Sequence, residues 1–457
     1  MTVSPAKTIN ISRAIDEGGF GVFQLRAIAL CALVGLFDGI DSQSIAIAAP
    51  IIARGLNLSR GSLGPVFSAS LLGAMLGALT FGPLGDRFGR KRMLIVATAL
   101  FSLFTLATAY ADSYTGLIAI RFLAGIGLGG ATPCFISLAT EYAPRRRRAT
   151  VASLIWAAFP LGGMLGGFVN AVVIASLGWR AMFVIGGVLP LLVAAALLLW
   201  LPESARFLLA TGRDTAELRR IVARLVPAAP PGARIVADEL HVRGVSVARL
   251  FAEGRGAATA LMWICFFTAF AVLAIVVVWT PLLLNESGLG SSQAALVLGF
   301  HGFGALLGVA SAGRLMERFG FTNVLGPAFV LGALATGTLG FAAGSIFFVS
   351  VAAIFVGVFV GVAASGSIAL AAVAYPTAMR SSGVGWAMGA GRLGQVAAPL
   401  LASLLVGLAW RGSEIFLAFG VFPLVGALAV VAMGWGKEGA NEPMRRSASA
   451  YGVDTEA

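Results

Sequence analysis

The chain has 457 residues, of which 58% are hydrophobic and only 11% charged, with a mean hydropathy of +0.93. A soluble protein of this size carries charges at about a quarter of its positions, so a water-soluble fold is excluded. The formal charge of +12 would suggest nucleic acid in a soluble chain, but here the basic residues gather between apolar segments, which argues for membrane topology and against a nucleic-acid partner.

Apolar segments long enough to cross hydrocarbon as helices recur along the whole length. Backbone groups in lipid must be satisfied within the chain, which makes helices the expected spanning element. The expected fold is an all-α membrane protein with twelve spans, at about 24–52, 62–82, 93–111, 115–140, 149–174, 180–201, 258–284, 291–312, 322–343, 345–370, 382–407 and 413–435. They group as an N-terminal six-helix bundle (1–201), a polar connection (202–257), a C-terminal six-helix bundle (258–435) and a tail (436–457). The polar start shows no small-residue cleavage site, so no signal peptide is expected.

The first span carries Asp38 and Asp41. Each carboxylate at mid-bilayer would cost about 2.5–3.5 kcal/mol on insertion scales, so both must face protein or water. Three residues apart, they share a helix face with about 4.5 Å of axial separation. Like charges this close oppose joint ionisation, which makes a pair that exchanges one proton available. The alternative is a structural polar pair that pins helix packing.

After the second span comes a charged run, Asp86-Arg87-Phe88-Gly89-Arg90-Lys91-Arg92. The fourth span contains Arg121, whose arm can snorkel outward, and ends on Glu141, Pro144 and Arg145–Arg148. The fifth span is rich in glycine around Pro160 and also holds Trp156 and Phe159. The connection carries Pro227, Pro230 and Pro231, with a small helix expected around Thr215–Arg224. A soluble catalytic domain does not fit in so short a stretch. In the second half, His301 lies within the eighth span, where it can titrate, bond to a solute, or bond to a neighbouring carbonyl. Glu317 and Arg318 follow that span. Arg392 lies in the eleventh span among Gly389, Gly391 and Gly394, and Trp386 lies one helical turn and a half before it. A guanidinium beside small residues suits bidentate capture of a carboxylate; the alternative is an ion pair between halves with Asp38 or Asp41. Phe37, Trp279, Phe300 and Phe303 lie at depths where rings can line a site.

Basic residues are dense at 87–92, 145–148 and 202–257, whereas the alternate loops hold only Arg54, Arg60, Arg180 and Arg411. This asymmetry predicts cytoplasmic termini. Cys31, Cys134 and Cys265 are isolated within spans, with no metal or disulfide spacing. No phosphate-binding loop of the G-x-x-x-x-G-K-[ST] type occurs, so no nucleotide or other cofactor is expected.

The two halves repeat at an offset of about 232 residues. Gly82, Asp86-Arg87 and Gly89 match Gly313, Glu317-Arg318 and Gly320. Gly125 and Gly129 match Gly357 and Gly361, while Pro144 and Arg148 match Pro376 and Arg380. Trp179-Arg180 matches Trp410-Arg411. Repeated halves place a solute site at their interface near the midplane.

The Gly82–Arg92 run, Arg121-x-x-x-Gly125-x-Gly127-x-Gly129, Glu141-x-x-Pro144 with Arg148, and Pro202-Glu203-Ser204 resemble signatures of the major facilitator superfamily. Phe37-Asp38-Gly39-Ile40-Asp41 is similar to the first-helix motif of its aromatic acid:proton symporters. The resemblance covers residues 20–435. It implies proton-coupled import of a benzoate-like or hydroxybenzoate-like carboxylate across a bacterial cytoplasmic membrane by a functional monomer. Carriers of non-aromatic or sugar acids, drug:proton antiport and a non-transporting receptor rank behind; span five lacks the glycine–proline pattern that many antiporters of the superfamily carry. Enzymatic activity is not expected. The resemblance implies that Asp38, Asp41 and Arg121 couple protons, Arg121 pairing with Asp41. It makes Arg392, His301, Trp156, Phe300 and Trp386 the candidate substrate contacts. Asp86, Arg87, Arg90, Glu141, Arg148, Glu317 and Arg318 would latch one conformation and release it in the other.

Overall fold

A computed structural model describes residues 8–17, 20–211, 216–225, 234–236, 247–252, 254–375 and 379–450. Pro227, Pro230, Pro231 and Pro376 lie outside these residues, as does the side chain of Arg380. Among the described residues, twelve helices are long and apolar enough to cross a membrane. In the first half they are α1 (Val22–Gly55), α2 (Leu63–Phe88), α3 (Arg90–Thr108), α4 (Tyr114–Glu141), α5 (Arg148–Ser176) and α6 (Trp179–Trp200). In the second half they are α7 (Gly256–Glu286), α8 (Ser291–Phe319), α9 (Phe321–Phe341), α10 (Ile346–Ala374), α11 (Arg380–Gly407) and α12 (Gly412–Ala450).

The sequence repeat becomes a structural one. α2 packs on α4 as α8 packs on α10, α1 on α5 as α7 on α11, and α3 on α6 as α9 on α12. The halves meet through α5 against α8, α2 against α11 and α1 against α7. Glycine explains the tight α2–α4 pair: a Cβ on Gly125 or Gly129 would strike the backbone of Ser70 or Ala74, and Gly357 meets His301 and Ala305 on α8 in the same way. α2 and α8 both stop at a glycine in the left-handed region, Gly89 (φ 108°) and Gly320 (φ 82°). A side chain resists that conformation, so these matched positions let the chain turn directly into the next helix.

Two boundaries run further than hydropathy indicated. α2 and α8 extend to Phe88 and Phe319 rather than stopping near 82 and 312. Their final turns carry Asp86-Arg87 and Glu317-Arg318, helical residues that a search for apolar runs discards. The connection contributes helices Ala205–Ala210, Ala216–Leu225 and Val247–Phe251, and Ala216–Leu225 buries Leu218, Ile221 and Val222. Thr8–Asn10 pairs in parallel with Arg234–Val236, aligning Ile9 with Ile235. This short ribbon is a small departure from an all-helical chain.

The apolar core is unequal at the two ends of the bundle. At the end away from the connection, one continuous cluster joins both halves, from Ile45, Phe67 and Leu117 to Trp279, Leu284 and Ala402. At the connection end the core divides. One cluster around Phe101, Phe135 and Leu138 belongs to the first half, and another around Phe266, Phe329 and Tyr375 to the second. Trp156 is the first-half side chain that reaches the second-half cluster.

Candidate functional site

Polar contacts between the halves follow the same asymmetry. Among the described residues they include Arg60 with Glu286 (3.1 Å), Ser68 Oγ donating to the Val396 carbonyl (2.9 Å), Ser292 Oγ to the Ala171 carbonyl (2.7 Å), and Ser403 Oγ to the Gly61 carbonyl. All four lie toward the far end, where Phe67 also meets Trp279 edge to face with ring centroids 5.9 Å apart. The halves are therefore zipped at one end and parted at the other.

Between these ends lies a cavity lined from both halves, with a volume of about 130 Å³. That is on the order of ten water-sized spheres, room for a solute of one ring. Gly35, Asp38, Gly39, Ser42 and Gln43 present one face of α1 to it, at helical spacing. Trp156 and Phe159 from α5, Phe135 from α4 and Phe270 from α7 supply aromatic walls, while His301, Arg392 and Gln395 come from α8 and α11.

The two acids of α1 part company. Asp38 is half-buried and lines the cavity. Arg392 acts on it electrostatically from the opposite half, without a direct ion pair. The guanidinium is steadied by its Nη1, which donates to Gln395 Oε1 one helical turn on (3.0 Å). Asp41 turns into the first half. Arg121 grips it with two bonds, Nη2 to Oδ2 at 2.7 Å and Nη1 to Oδ1 at 3.2 Å, and Thr105 donates to Oδ1 at 2.8 Å. Both partners are 1% exposed. Three residues on a helix correspond to about 300° of rotation, so neighbours along one stripe point to different surroundings.

Of the other candidate contacts, His301 and Trp156 line the cavity. Phe300 and Trp386 do not: Phe300 packs edge-on against Phe168 at 5.3 Å, and Trp386 stacks on Trp263 at 6.3 Å. Trp279 belongs to the far-end core, Phe37 packs on the first-half core, and Phe303 is exposed on the outside of the bundle. Depth along the sequence places a ring at a level, but not on a side. The sequence reading passed over Gln43 and Gln395. The signal available was an amide inside an apolar span, for Gln395 one turn from Arg392.

At the connection end the first half carries a compact charge network. Arg90 is held by Asp86 (3.0 Å) and by Glu141. Ser204 donates to Glu141 Oε2, and Glu203 Oε1 accepts the backbone N–H groups of Lys91 and Ser204, both at 2.9 Å. The Tyr142 hydroxyl donates to the Glu203 carbonyl at 2.6 Å. A carboxylate at the first turn of α3 is favoured by the helix dipole. Arg148 Nε donates to the Ala143 carbonyl (3.3 Å), and Arg87 lies over the Phe88 ring. In the second half, Glu317 and Arg318 are exposed and make no ion pair among the described residues; Arg318 lies over Phe319.

Doubled six-helix bundles around a cavity on their common axis define a major facilitator fold, and the chain belongs to the Major Facilitator Superfamily, whose sequence profile matches residues 31–312 and 262–449. Within it, the chain is 35% identical to the 4-hydroxybenzoate transporter PcaK of Pseudomonas putida, over 94% of this chain and 97% of that one. It is 34% identical to a gallate transporter of Pseudomonas putida, over 93% and 95% of the two chains. The crystal structure of a D-xylose–proton symporter shares the fold, with a TM-score of 0.71 and 20% identity over 90% of this chain and 97% of that chain.

Proposed function

We propose that this protein carries an aromatic carboxylate together with a proton into the bacterial cytoplasm by alternating access. The observation that carries the reading is Asp38 from one half and Arg392 from the other facing a single cavity walled by aromatic rings. The substrates named for the similar proteins support it, since 4-hydroxybenzoate and gallate are aromatic carboxylates.

The basic clusters at Arg87–Arg92 and Arg145–Arg148 sit at the connection end, which the positive-inside rule assigns to the cytoplasm. Both termini are then cytoplasmic, and the arrangement with a zipped far end is the inward-facing state. In the outward-facing state, Asp38 takes a proton from outside and loses its hold on Arg392. The guanidinium then accepts the substrate carboxylate in a two-pronged bond, while Trp156, Phe159 and Phe270 enclose the ring. A protonated acid and a paired guanidinium leave little net charge in the site, and the loaded halves rock past the barrier. On the cytoplasmic side the proton leaves Asp38, whose restored charge competes for Arg392 and expels the anion. For one proton and a monoanion the cycle is electroneutral. Asp41 and Arg121 hold α1 on α4 through each state, and the protein works as a monomer.

Uptake of labelled benzoates into proteoliposomes under an inward proton gradient tests this. Accumulation above equilibrium is expected, and its loss in Asp38→Asn and Arg392→Ala. Gradient-driven accumulation that survives in both variants overturns the assignment.

A further inference from the structure

Two deeply buried polar side chains in the cavity have no role in that cycle. Gln43 is 3% exposed and His301 2% exposed, and both line the cavity. Among the described residues, Gln43 Oε1 has no hydrogen-bond partner, nor does either imidazole nitrogen of His301. The Ala353 carbonyl approaches the ring without reaching hydrogen-bond geometry. Buried polar groups are ordinarily paired, and a cluster of unpaired ones invites a ligand.

Both groups line the same cavity. The Gln43 amide lies over Gly163 of α5, where a Cβ would come within 3.2 Å of its Nε2. Gly302, the neighbour of His301, packs on the same stretch, its Cβ position 2.9 Å from the Gly163 carbonyl carbon. Gln43 also lies five residues beyond Asp38, about 7.5 Å along the helix axis.

We propose that Gln43 and His301 form a subsite for a ring hydroxyl, which makes ring-hydroxylated acids the preferred cargo. The inference rests on the carboxylate reading above and narrows it. A phenol both donates and accepts. Its O–H donates to Gln43 Oε1, and its oxygen accepts the N–H of a neutral His301. A ring C–H satisfies neither group. A pyridine nitrogen accepts only, so it satisfies His301 and leaves Gln43 unpaired. Sites built to bond a hydroxyl reject the analogue that lacks it.

The test is competition in proteoliposomes, with 3- and 4-hydroxybenzoate, benzoate and isonicotinate set against a labelled hydroxybenzoate. The wild-type protein is expected to favour one hydroxybenzoate over benzoate by about tenfold or more, with isonicotinate between them. Gln43→Met and His301→Phe are expected to shrink that ratio several-fold, and His301→Gln, which keeps a donor, to restore part of it. Equal affinities in the wild type, or variants that weaken both acids with the ratio intact, overturn the subsite. A second measurement needs no variant. The chain has two histidines, His241 and His301, so ¹⁵N-histidine spectra of the wild-type protein can follow one imidazole with the other as reference. Hydroxybenzoate is expected to move the His301 ring resonances well beyond any shift caused by benzoate; equal shifts overturn the proposal. Absence of any aromatic acid uptake would sink the proposed function itself, whereas uptake without discrimination sinks only the hydroxyl subsite.

Discussion

The site between the halves and the site inside the first half use the same chemistry, an aspartate of α1 facing an arginine, with opposite design. Asp41 and Arg121 share two hydrogen bonds, recruit Thr105 and are shut away from solvent. Asp38 and Arg392 face one another across an open cavity without a direct bond, and Arg392 turns to Gln395 instead. A buried, doubly bonded pair holds its geometry because either partner alone would be a stranded charge. A separated pair in a shared cavity leaves room between its members, which is what the proposed cycle uses. Helix rotation alone gives the two acids their different surroundings.

The contrast breaks most readily at Arg121. Arg121→Ala strands a buried carboxylate, and a loss of about 3–5 kcal/mol is expected, read as a fall in thermal unfolding temperature in detergent. Adding Asp41→Asn should recover much of it; a single variant as stable as the parent would show that the pair is not a structural anchor. Asp38→Asn should reverse the pattern, with stability within about 1 kcal/mol of the parent and gradient-driven accumulation lost while substrate exchange persists. Accumulation at the parental level would remove Asp38 from coupling. Next comes the charge network at the connection end. Glu141→Ala strips Arg90 and Ser204 of a partner and is expected to cost about 1–3 kcal/mol, whereas Glu317→Ala in the second half should leave the melting temperature unchanged. Equal losses would mean that the second half holds a latch of the same kind. The smallest effect is expected at the exposed Arg60–Glu286 pair, where Glu286→Gln should cost at most about 1 kcal/mol. That difference should fade in a salt titration of thermal stability.

Much of the fold was readable because hydrocarbon imposes a length and a polarity on every span. The repeat was readable for a different reason: Gly89 and Gly320 hold a left-handed backbone that side chains resist, while Gly125 and Gly357 occupy positions where a side chain has no room. The site was legible only in part. Charged residues announce themselves in an apolar span, so Asp38, Asp41, Arg121 and Arg392 stood out. Rings do not. Spans such as α7 are apolar on nearly every face, so no stripe reveals which side of Trp279 or Phe300 meets the cavity. Phe159 and Phe270 line it instead. The likeness of Glu317-Arg318 to Asp86-Arg87 announces the charged turn but not its partners: the first-half network also draws on Glu141, Glu203 and Ser204, which lie far away in the sequence.

The seam at the far end leans on hydroxyl donors that reach across to backbone carbonyls, two of them, Ser68 and Ser403, more than a turn inside their helices. Such a serine always has a substitute acceptor close by, the carbonyl four residues earlier in its own coil. Were the halves to part as the proposed cycle requires, each could swivel home without stranding a proton donor in the dark, and the Val396 carbonyl would keep its place in the α11 ladder. In that cycle the clasp would open by a trade rather than a rupture, within reach of a small driving force.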